Sequence, residues 1–333
     1  MAEYINIRGQ SIEVVASDPA NPTVGQIWYN STSNTLKGGS VTTSSSWATG
    51  TNYPVNITRN GSAGTQTATL MFGGQTPAYT GATNEYDGAT WTAGGSLNTA
   101  RGHVVGAGTQ TTAIAIGGYA PTVTGATEEY DGTSWTNGGS TATARAQAGA
   151  GGDSTAAIYF GGTPSPYNST VATELYNGTS WTSGNNMGSG RYSLAGAGSQ
   201  TAALAISGYG PVSGPGTGST FTGSEEYDGT NWAAGGTLNT GRYAAASGGI
   251  QTAALLISGW LPGATAATEL YDGTSWTNDT NVNSPRFSTN MGAVGTTSAS
   301  LYAGGETPGS PRVNTVEEYT GAGVAVTKTI TVS

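Results

Sequence analysis

The chain has 333 residues, of which 9% are charged, and its formal net charge at pH 7 is −9. This balance excludes nucleic-acid partners, because phosphate binding requires clustered Lys and Arg and the 10 basic residues are scattered. The absence of Cys excludes disulfides, thiolate catalysis and zinc–sulfur sites. We therefore expect no metal, no cofactor and, since no apolar run reaches about 18 residues, no membrane insertion.

A low content of hydrophobic residues (35%) and of charge is often typical of disorder. Here the 8 Trp and 17 Tyr return at regular positions, and evenly spaced aromatic residues indicate a packed core. The segment Met1 to Val15 lacks the apolar stretch of a signal peptide. We therefore expect the chain to be made and folded in a cytoplasm.

Residues 1–42 precede the repeats and predict a small attachment segment. Gly25 to Asn30 has the pattern of a β-strand, Ser31 to Asn34 that of a turn, and Thr35 to Lys37 that of a returning strand, which together form a β-hairpin. With the turn at Asp18 to Pro22, this phrase resembles a segment of phage tail and fibre proteins. The resemblance implies docking to a virion through the hairpin residues Ile27, Trp28, Tyr29 and Leu36.

Residues 43–321 contain one unit that is repeated along the chain. In five copies a Tyr precedes a Trp by five residues, and an Arg follows that Trp by ten. The Tyr are Tyr86, Tyr130, Tyr176, Tyr227 and Tyr271, and the Arg are Arg101, Arg145, Arg191, Arg242 and Arg286. A doublet of small residues ends an apolar run at six positions, beginning at Gly73, Gly117, Gly161, Ser207, Ser258 and Gly304. These six doublets are 44 to 51 residues apart, and such a spacing predicts a fold built from repeated units.

Each repeat predicts four short antiparallel strands, which we name a to d. In the second copy, His103 to Gly106 predicts strand a, Thr112 to Ile116 strand b, and Thr127 to Tyr130 strand c. Asp131-Gly132 predicts a two-residue hairpin turn, because Gly accepts a positive φ, and Ser134 to Thr136 begins strand d. A four-stranded unit of this length is typical of a propeller blade.

The doublet followed by spaced Tyr and Trp resembles the kelch motif over about residues 43 to 321, although Ser207 and Ser258 replace the leading Gly in two copies. More narrowly, Gly106 to Thr111 and Thr127 to Gly132 resemble kelch-like proteins of marine and cyanobacterial phages. The resemblance implies an all-β, six-bladed kelch-type β-propeller, and a tail- or fibre-associated virion protein assembled in the host cytoplasm. Its implied partners are other virion proteins, a host-surface polysaccharide or receptor, and further copies of this chain.

The two ends of the repeat region complement each other. Tyr319 in the last copy has no Trp five residues later, and Trp47 has no Tyr before it. We therefore predict that residues near Thr43 to Trp47 supply strand d of the last blade, which closes the propeller and leaves no open edge. Residues 322–333 predict a further strand, which is expected to pair with Ile5 to Val15.

The sequence predicts no catalytic residues. The repeated Arg suggest a cationic ring for an acidic glycan, but a charge at a fixed offset in each blade favours a scaffold role in which it pairs with a repeated acid. Those acids are Glu85, Glu129, Glu174, Glu226, Glu269 and Glu318. Copper-oxidase chemistry is excluded because it needs Cys and His ligands, and the one His, His103, is expected to pack on strand a or lie at the surface. Glycan hydrolysis needs two carboxylates at a fixed separation, and the non-repeated acids of the propeller are Asp153, Asp279 and Glu306.

The connections between strands b and c vary most from copy to copy and project from one face, which favours a binding role. They carry aromatic residues that suit sugar faces or protein partners, although the same rings could instead pack the loops down. The candidates are Tyr79, Tyr119, Tyr167, Tyr209, Phe221 and Trp260. We therefore expect a non-enzymatic virion protein that displays this face for host-surface glycan or virion-protein binding. The alternatives are a secreted carbohydrate-binding lectin and a glycan-cleaving hydrolase.

Overall fold

The computed structural model describes residues 12–19, 23–41, 44–164, 168–211, 218–287, 294–309, 311–323 and 325–330. Every regular element in this part of the chain is a β-strand, which confirms the all-β fold class. No helix long and apolar enough to cross a membrane occurs there. The chain divides into two compact units, a smaller one of Met1–Ser46 with Thr320–Ser333 and a larger one of Trp47–Tyr319.

The strands are short and follow one another closely along the chain. The first are β1 (Glu13–Val15), β2 (Ile27–Asn30), β3 (Thr35–Val41), β4 (Ser46–Thr49), β5 (Gly61–Thr65), β6 (Ala68–Phe72), β7 (Thr83–Tyr86), β8 (Trp91–Gly94), β9 (Val105–Gly108), β10 (Ala113–Ile116), β11 (Thr127–Tyr130) and β12 (Trp135–Asn137). The next are β13 (Gly149–Gly152), β14 (Ala157–Phe160), β15 (Thr173–Tyr176), β16 (Trp181–Ser183), β17 (Ala195–Ser199), β18 (Ala202–Ile206), β19 (Tyr209–Pro211), β20 (Gly218–Thr220), β21 (Gly223–Tyr227) and β22 (Trp232–Thr237). The last are β23 (Ala246–Ile250), β24 (Ala253–Ile257), β25 (Trp260–Leu261), β26 (Gly263–Ala264), β27 (Thr268–Tyr271), β28 (Trp276–Asp279), β29 (Val294–Gly295), β30 (Ala299–Ala303), β31 (Val316–Thr320) and β32 (Ala325–Thr329).

In the smaller unit, four strands form one sheet in the order β1-β2-β3-β32. β2 and β3 form the predicted hairpin, with Asn30 opposite Thr35. The turn between them ends at Asn34, which has a left-handed conformation with φ 58°. Asp18 fastens the preceding segment to the hairpin, because its Oδ1 accepts hydrogen bonds from Asn30 Nδ2 (2.7 Å) and Trp28 Nε1 (3.0 Å). Both bonds stabilise the carboxylate and lower the pKa of Asp18.

For the described residues Glu13–Val15, the predicted pairing with the C-terminal strand is wrong. β32 pairs antiparallel with β3, with Thr329 opposite Lys37, whereas β1 pairs parallel with β2, with Glu13 opposite Trp28. β3 has 7 residues, and five of them, Lys37 to Val41, pair with β32 along the edge that β2 leaves open. Lys37 reinforces the pairing by donating from Nζ to Thr329 Oγ1 at 2.9 Å. The part of the prediction that concerns residues 5–11 lies outside the described residues.

The described residues of the larger unit form six four-stranded sheets, which we number by their first strand. Sheets 1 to 5 are β5-β6-β7-β8, β9-β10-β11-β12, β13-β14-β15-β16, β17-β18-β21-β22 and β23-β24-β27-β28. Sheet 6 has the order β29-β30-β31-β4, so its outer strand comes from the N-terminal side of the repeats. The first strands of successive sheets contact one another, and β29 of sheet 6 also contacts β5 of sheet 1. The hairpins β19-β20 and β25-β26 extend the connections between the second and third strands of sheets 4 and 5.

In sheets 1 to 5 the connection between the third and fourth strands is a four-residue loop, so the predicted two-residue turn is wrong. In sheet 2, Tyr130 pairs with Trp135, which leaves Asp131 to Ser134 in the loop. Oδ1 of Asp131 accepts the N–H groups two and three residues further on, both at 2.8 Å. The side chain therefore closes a turn in place of the main chain, and these bonds lower the pKa of Asp131. The same bonding recurs at Asp87, Asn177, Asp228 and Asp272.

Aromatic residues fill the spaces between neighbouring sheets. Between sheets 1 and 2, the ring centroid of Trp135 lies 4.7 Å from that of Phe72 and 5.0 Å from that of Tyr130. These rings belong to one buried cluster with Leu70, and Trp135 Nε1 donates to Thr83 Oγ1 of sheet 1 at 2.9 Å. Burial of each such side chain contributes on the order of 1.5–3 kcal/mol. The regular spacing of Tyr and Trp in the sequence is therefore the spacing of the contacts between sheets.

A repeated Gln also joins sheets, because its Nε2 donates to two main-chain carbonyl oxygens of the preceding sheet. The residues are Gln110 in sheet 2, Gln200 in sheet 4 and Gln251 in sheet 5. Gln66 of sheet 1 makes the same pair of bonds to sheet 6, to Ser300 (3.0 Å) and Tyr319 (2.7 Å). Tyr86 of sheet 1 likewise donates its hydroxyl to Glu318 of sheet 6 at 2.6 Å. Sheets 1 and 6 are therefore joined by the contacts that join consecutive sheets.

The repeated Arg form buried ion pairs with a Glu of the third strand. Each of these Arg residues is at most 1% exposed. The pairs are Arg101–Glu128, Arg145–Glu174, Arg191–Glu225, Arg242–Glu269 and Arg286–Glu317. Two of the predicted partners, Glu174 and Glu269, are confirmed. The other four predicted partners of the Arg are wrong. They are Glu85, Glu129, Glu226 and Glu318. Side chains alternate along a strand, so these four Glu lie on the opposite face, where each accepts a Tyr hydroxyl of the next sheet.

Sheet 1 departs from this ion-pair pattern at three positions. Asn84 occupies the position of the paired Glu, and Ile57 occupies that of the repeated Arg. In the next repeat, the Asn98 N–H donates to the paired Glu128 at 2.6 Å. Pro54 occupies the equivalent position in sheet 1 and has no N–H to donate. The donor, the cation and the carboxylate are thus replaced together. Tyr53 lies buried in the same region, and its hydroxyl accepts a hydrogen bond from Asn84 Nδ2 at 2.7 Å.

Candidate functional site

In each sheet, a main-chain bridge joins two segments. One is the connection between the second and third strands, and the other begins directly after the repeated Arg, whose position Ile57 takes in sheet 1. The bridged pairs, which we call the rim, are Thr58–Gln75, Gly102–Tyr119, Ala146–Thr163, Tyr192–Tyr209, Tyr243–Trp260 and Phe287–Glu306. In the fourth pair both N–H···O distances are 2.8 Å. All six pairs lie at the same end of their sheets, just after the second strand. The rim residues are therefore held in place by main-chain bonds rather than by free loops.

Five aromatic side chains of the rim form a row across sheets 4 to 6, which we call the aromatic ridge. They are Tyr192, Tyr209, Tyr243, Trp260 and Phe287. Ring centroids lie 5.7 Å apart for Tyr192 and Tyr209, 5.1 Å for Tyr209 and Tyr243, and 4.4 Å for Trp260 and Phe287. Tyr243 and Trp260 are neighbours through their main-chain bridge. Each of the five residues is partly exposed, so the ridge offers two groups of touching rings, one of three Tyr and one of Trp260 with Phe287.

The structure brings two of the predicted ligand-binding residues, Tyr209 and Trp260, together in the aromatic ridge. Tyr79 and Tyr119 form a separate pair on sheets 1 and 2, with ring centroids 5.7 Å apart. Phe221 lies beside Arg191, whose guanidinium carbon is 5.3 Å from the ring centroid. Tyr167 lies outside the described residues. The five candidates that the structure describes therefore differ in their immediate ring and charge partners.

Sequence reasoning missed three of the five ridge residues, Tyr192, Tyr243 and Phe287. Each follows a repeated Arg directly, in the copies that precede sheets 4, 5 and 6. The equivalent residues of the other copies are Thr58, Gly102 and Ala146. The signal was therefore present, because an alignment of the copies on the residue after the Arg shows aromatic residues in three consecutive repeats.

Beside the rim, one residue of several repeats has a left-handed main-chain conformation. These residues are Arg59 (φ 60°), His103 (φ 53°), Gln147 (φ 58°), Ser193 (φ 50°) and Ala244 (φ 53°). Main-chain bonds join successive members, as where Ser193 N–H donates to the Gln147 carbonyl at 2.8 Å. Such a conformation costs a non-Gly residue on the order of 1–3 kcal/mol, which bonds between sheets offset here.

His103 lies before β9, so its predicted place within strand a is wrong. Its positive φ is incompatible with an extended strand. Burial and the nearby charge of Arg59 lower the pKa of His103 to about 3. The imidazole is therefore neutral at physiological pH.

A narrow cavity of about 140 Å³ lies among the first strands of the sheets. All six sheets line it, through residues that include Ser62, Gly106, Ala150, Gly196, Ser247 and Val294. Its lining residues are small and uncharged. Ligand pockets typically have volumes of about 300–1,000 Å³, so this cavity suits water better than a sugar.

The three non-repeated acids lie in different places. Glu306 is on the rim, where Arg59 Nε lies 3.6 Å from its Oε1. Asp153 accepts main-chain N–H groups in the turn between β13 and β14, and Asp279 accepts the Tyr319 hydroxyl. Each of these carboxylates thus has its own local partners. Across the described ranges, no group of three or more His, Asp or Glu side chains could hold a metal ion.

In the smaller unit, the predicted docking residues differ in exposure. Trp28 is 0% exposed, and its indole N–H is bound by Asp18. Ile27, Tyr29 and Leu36 are partly exposed. Better exposed apolar side chains lie in the segment before the hairpin, at Ile12 (41%), Val14 (66%) and Val24 (67%).

These features define an all-β protein with a β-propeller-like set of four-stranded sheets. No protein-family model matches the chain, and no curated protein matches it. The solved structure of a protein called YjhT is similar, with a TM-score of 0.67 and 13% identity, over 80% of this chain and 95% of the YjhT chain. At this identity the similarity concerns the fold alone.

Proposed function

We propose that the larger unit is a six-bladed, kelch-type β-propeller that the chain closes with its own N-terminal strand. Sheets 1 to 6 are then the blades, and β4 completes the last one. The closure is supported by the contact between β29 and β5 and by the bonds that Gln66 and Tyr86 make to sheet 6. A closed ring leaves no sheet edge free for aggregation.

The propeller is proposed to be a non-enzymatic binding module for host-surface glycan. The observation that carries this function is the aromatic ridge, five partly exposed aromatic residues at one end of sheets 4 to 6. Aromatic rings offer a large contact area to the C–H faces of sugars at a small cost in side-chain entropy. The main-chain bridges under the ridge reduce the ordering cost of binding further.

We expect Trp260→Ala and Tyr209→Ala to abolish or greatly weaken binding on a glycan array, because each removes a ring from the ridge. The loss should be at least about tenfold, which corresponds to about 1.4 kcal/mol. Tyr79→Ala is the matched control, since it removes a ring that packs against Tyr119 of the rim and lies outside the ridge. Equal losses for Tyr79→Ala and Trp260→Ala would contradict the ridge as the binding surface.

The chain is further proposed to be a tail- or fibre-associated component of a phage virion, assembled in the host cytoplasm. The resemblance of the N-terminal phrase to phage tail and fibre proteins supports this location. The smaller unit, with Ile27, Tyr29 and Leu36 partly exposed on its hairpin, would then dock to other virion proteins. Further copies of the chain are candidate partners.

Mass spectrometry of purified particles tests the virion location. We expect the chain to copurify with the particles through density-gradient centrifugation and high-salt washing. A secreted lectin would instead be found in the particle-free medium. A glycan-cleaving hydrolase would release reducing sugar, and its loss on Asp153→Asn or Glu306→Gln would overturn the non-enzymatic role.

A further inference from the structure

A second recess, which we call the junction cleft, lies where sheet 1 meets sheet 6. Its volume is about 550 Å³, and it is lined by Val55, Asn56, Thr76, Pro77, Pro311 and Arg312. This volume falls in the range of about 300–1,000 Å³ that is typical of small-molecule sites. The lining combines three apolar side chains with two neutral polar ones and one guanidinium. Such a mixture suits a ligand that has both C–H faces and polar groups.

The walls of the junction cleft are fixed by main-chain bonds. Ile57 N–H donates to the Val313 carbonyl at 3.1 Å, which ties the segment of Val55 and Asn56 to that of Pro311 and Arg312. The bridge between Thr58 and Gln75 ties the same segment to Thr76 and Pro77. Gln75 Nε2 also donates to the Pro77 carbonyl at 3.2 Å. A preformed site of this kind binds at a lower ordering cost.

The cleft coincides with the place where the repeat is most altered. Pro54, Ile57 and Asn84 replace the components of the buried ion pair beside it, and the loop that carries Arg312 has no counterpart charge in the other copies. Departures of a regular sequence from its own pattern are expected at functional sites. This departure therefore favours a specialised role for the junction over a merely structural one.

The electrostatics of the cleft favour an anion. Arg312 is the charged residue of its lining. The adjacent Arg59 and Glu306 pair across 3.6 Å, and Arg312 brings a guanidinium to the cleft of a chain whose net charge is −9. A guanidinium carries five N–H donors in a planar fork that matches a carboxylate. Arg312 can therefore bind a ligand carboxylate in addition to its contacts within the protein.

We propose that the junction cleft binds a carboxylate-bearing sugar, such as the uronate unit of an acidic polysaccharide. Arg312 pairs with the carboxylate, Asn56 and Thr76 bind sugar hydroxyls, and Val55, Pro77 and Pro311 contact the C–H surface of the ring. This assignment rests on the proposed glycan-binding function, because it names the class of glycan that the same end of the sheets would take. It places the acidic group at the junction of sheets 1 and 6, apart from the aromatic ridge on sheets 4 to 6.

Isothermal titration calorimetry with glucuronate and with glucose tests the proposal on the full-length chain. We expect glucuronate to bind at least about tenfold more tightly than glucose, and Arg312→Gln to remove this preference. Lys37→Gln is the matched control, because it removes one positive charge from the smaller unit and should leave the preference intact. Urea unfolding of each variant verifies that the fold is retained.

Three outcomes would overturn the proposal: no preference for glucuronate, an Arg312→Gln variant that keeps it, or equal binding of glucose 6-sulfate, which would indicate a general anion site. Trp260→Ala separates this proposal from the proposed function. If that variant retains both array binding and glucuronate binding, the ridge fails and the junction cleft stands. If it loses array binding while glucuronate never binds, the ridge stands and the junction cleft fails.

Discussion

Replacement of Arg242 by Ala is expected to lower the free energy of unfolding by about 3–5 kcal/mol, because it leaves a buried carboxylate without its cation. Arg242 and Glu269 are both 0% exposed and form an ion pair. Arg242 also donates to the Thr240 carbonyl at 2.9 Å, and burial lowers its pKa. Urea unfolding followed by Trp fluorescence measures the loss. Arg312→Ala is the control, since Arg312 lies outside the buried pairs and should change stability far less.

Sheet 1 provides a natural model for removing both charges at once. The double variant Arg242→Ile with Glu269→Asn copies the residues Ile57 and Asn84 that occupy these positions in sheet 1. We expect it to recover most of the stability that Arg242→Ala loses, because no buried charge remains. The remaining part of the loss is expected from the Asn239 N–H, which donates to Glu269 at 2.8 Å and for which sheet 1 has Pro54 instead. A double variant as unstable as the single one would show that the pair itself, rather than an unpaired charge, determines stability.

The repeat explains why much of this fold could be predicted from the sequence. The Tyr and Trp spacing, the small doublets and the unpaired Trp47 and Tyr319 together predict the strands of each sheet and their neighbours. Repeats make such inference strong, because each sheet contacts its neighbours through the same positions. What failed was the choice between adjacent side chains, as at Glu128 and Glu129. A shift of one residue in a strand reverses the face to which a side chain points.

The candidate site was less predictable, because it depends on contacts between residues that are far apart in the sequence. Tyr209 and Trp260 were visible as loop aromatics, whereas Tyr192 and Phe287 belong to the ridge only because main-chain bridges place them beside those loops. The junction cleft was not predictable at all. It brings Val55 together with Arg312 across the whole length of the repeat region, and such proximity follows from the contact between sheets 6 and 1 rather than from any local pattern.

The closing strand can be tested by comparing two equivalent Trp. Trp47 lies 5.0 Å from Tyr319 in sheet 6, and Trp276 lies 4.8 Å from Tyr271 in sheet 5. Both are nearly buried, with exposures of 8% and 5%. The carbonyl of each accepts a hydrogen bond from an Asn side chain, at 3.3 Å for Trp47 and 3.1 Å for Trp276. The two residues therefore have matched environments, although Trp47 belongs to the strand that arrives from the other end of the repeats.

Trp47→Ala and Trp276→Ala are each expected to lower the free energy of unfolding by about 3–5 kcal/mol, the range for truncating a buried Trp to Ala. Equal losses in urea unfolding mean that the closing strand is held as firmly as an internal one. A loss of less than about 1 kcal/mol for Trp47→Ala, beside a full loss for Trp276→Ala, would contradict closure. In a closed ring, Trp47→Ala should also promote association of the chain, because a loosened β4 exposes the edge of β31 for pairing with another molecule. Analytical ultracentrifugation of the two variants at equal concentration measures their association. The Trp276→Ala variant should associate less, because β28 follows β27 directly in the chain and stays attached to its own sheet.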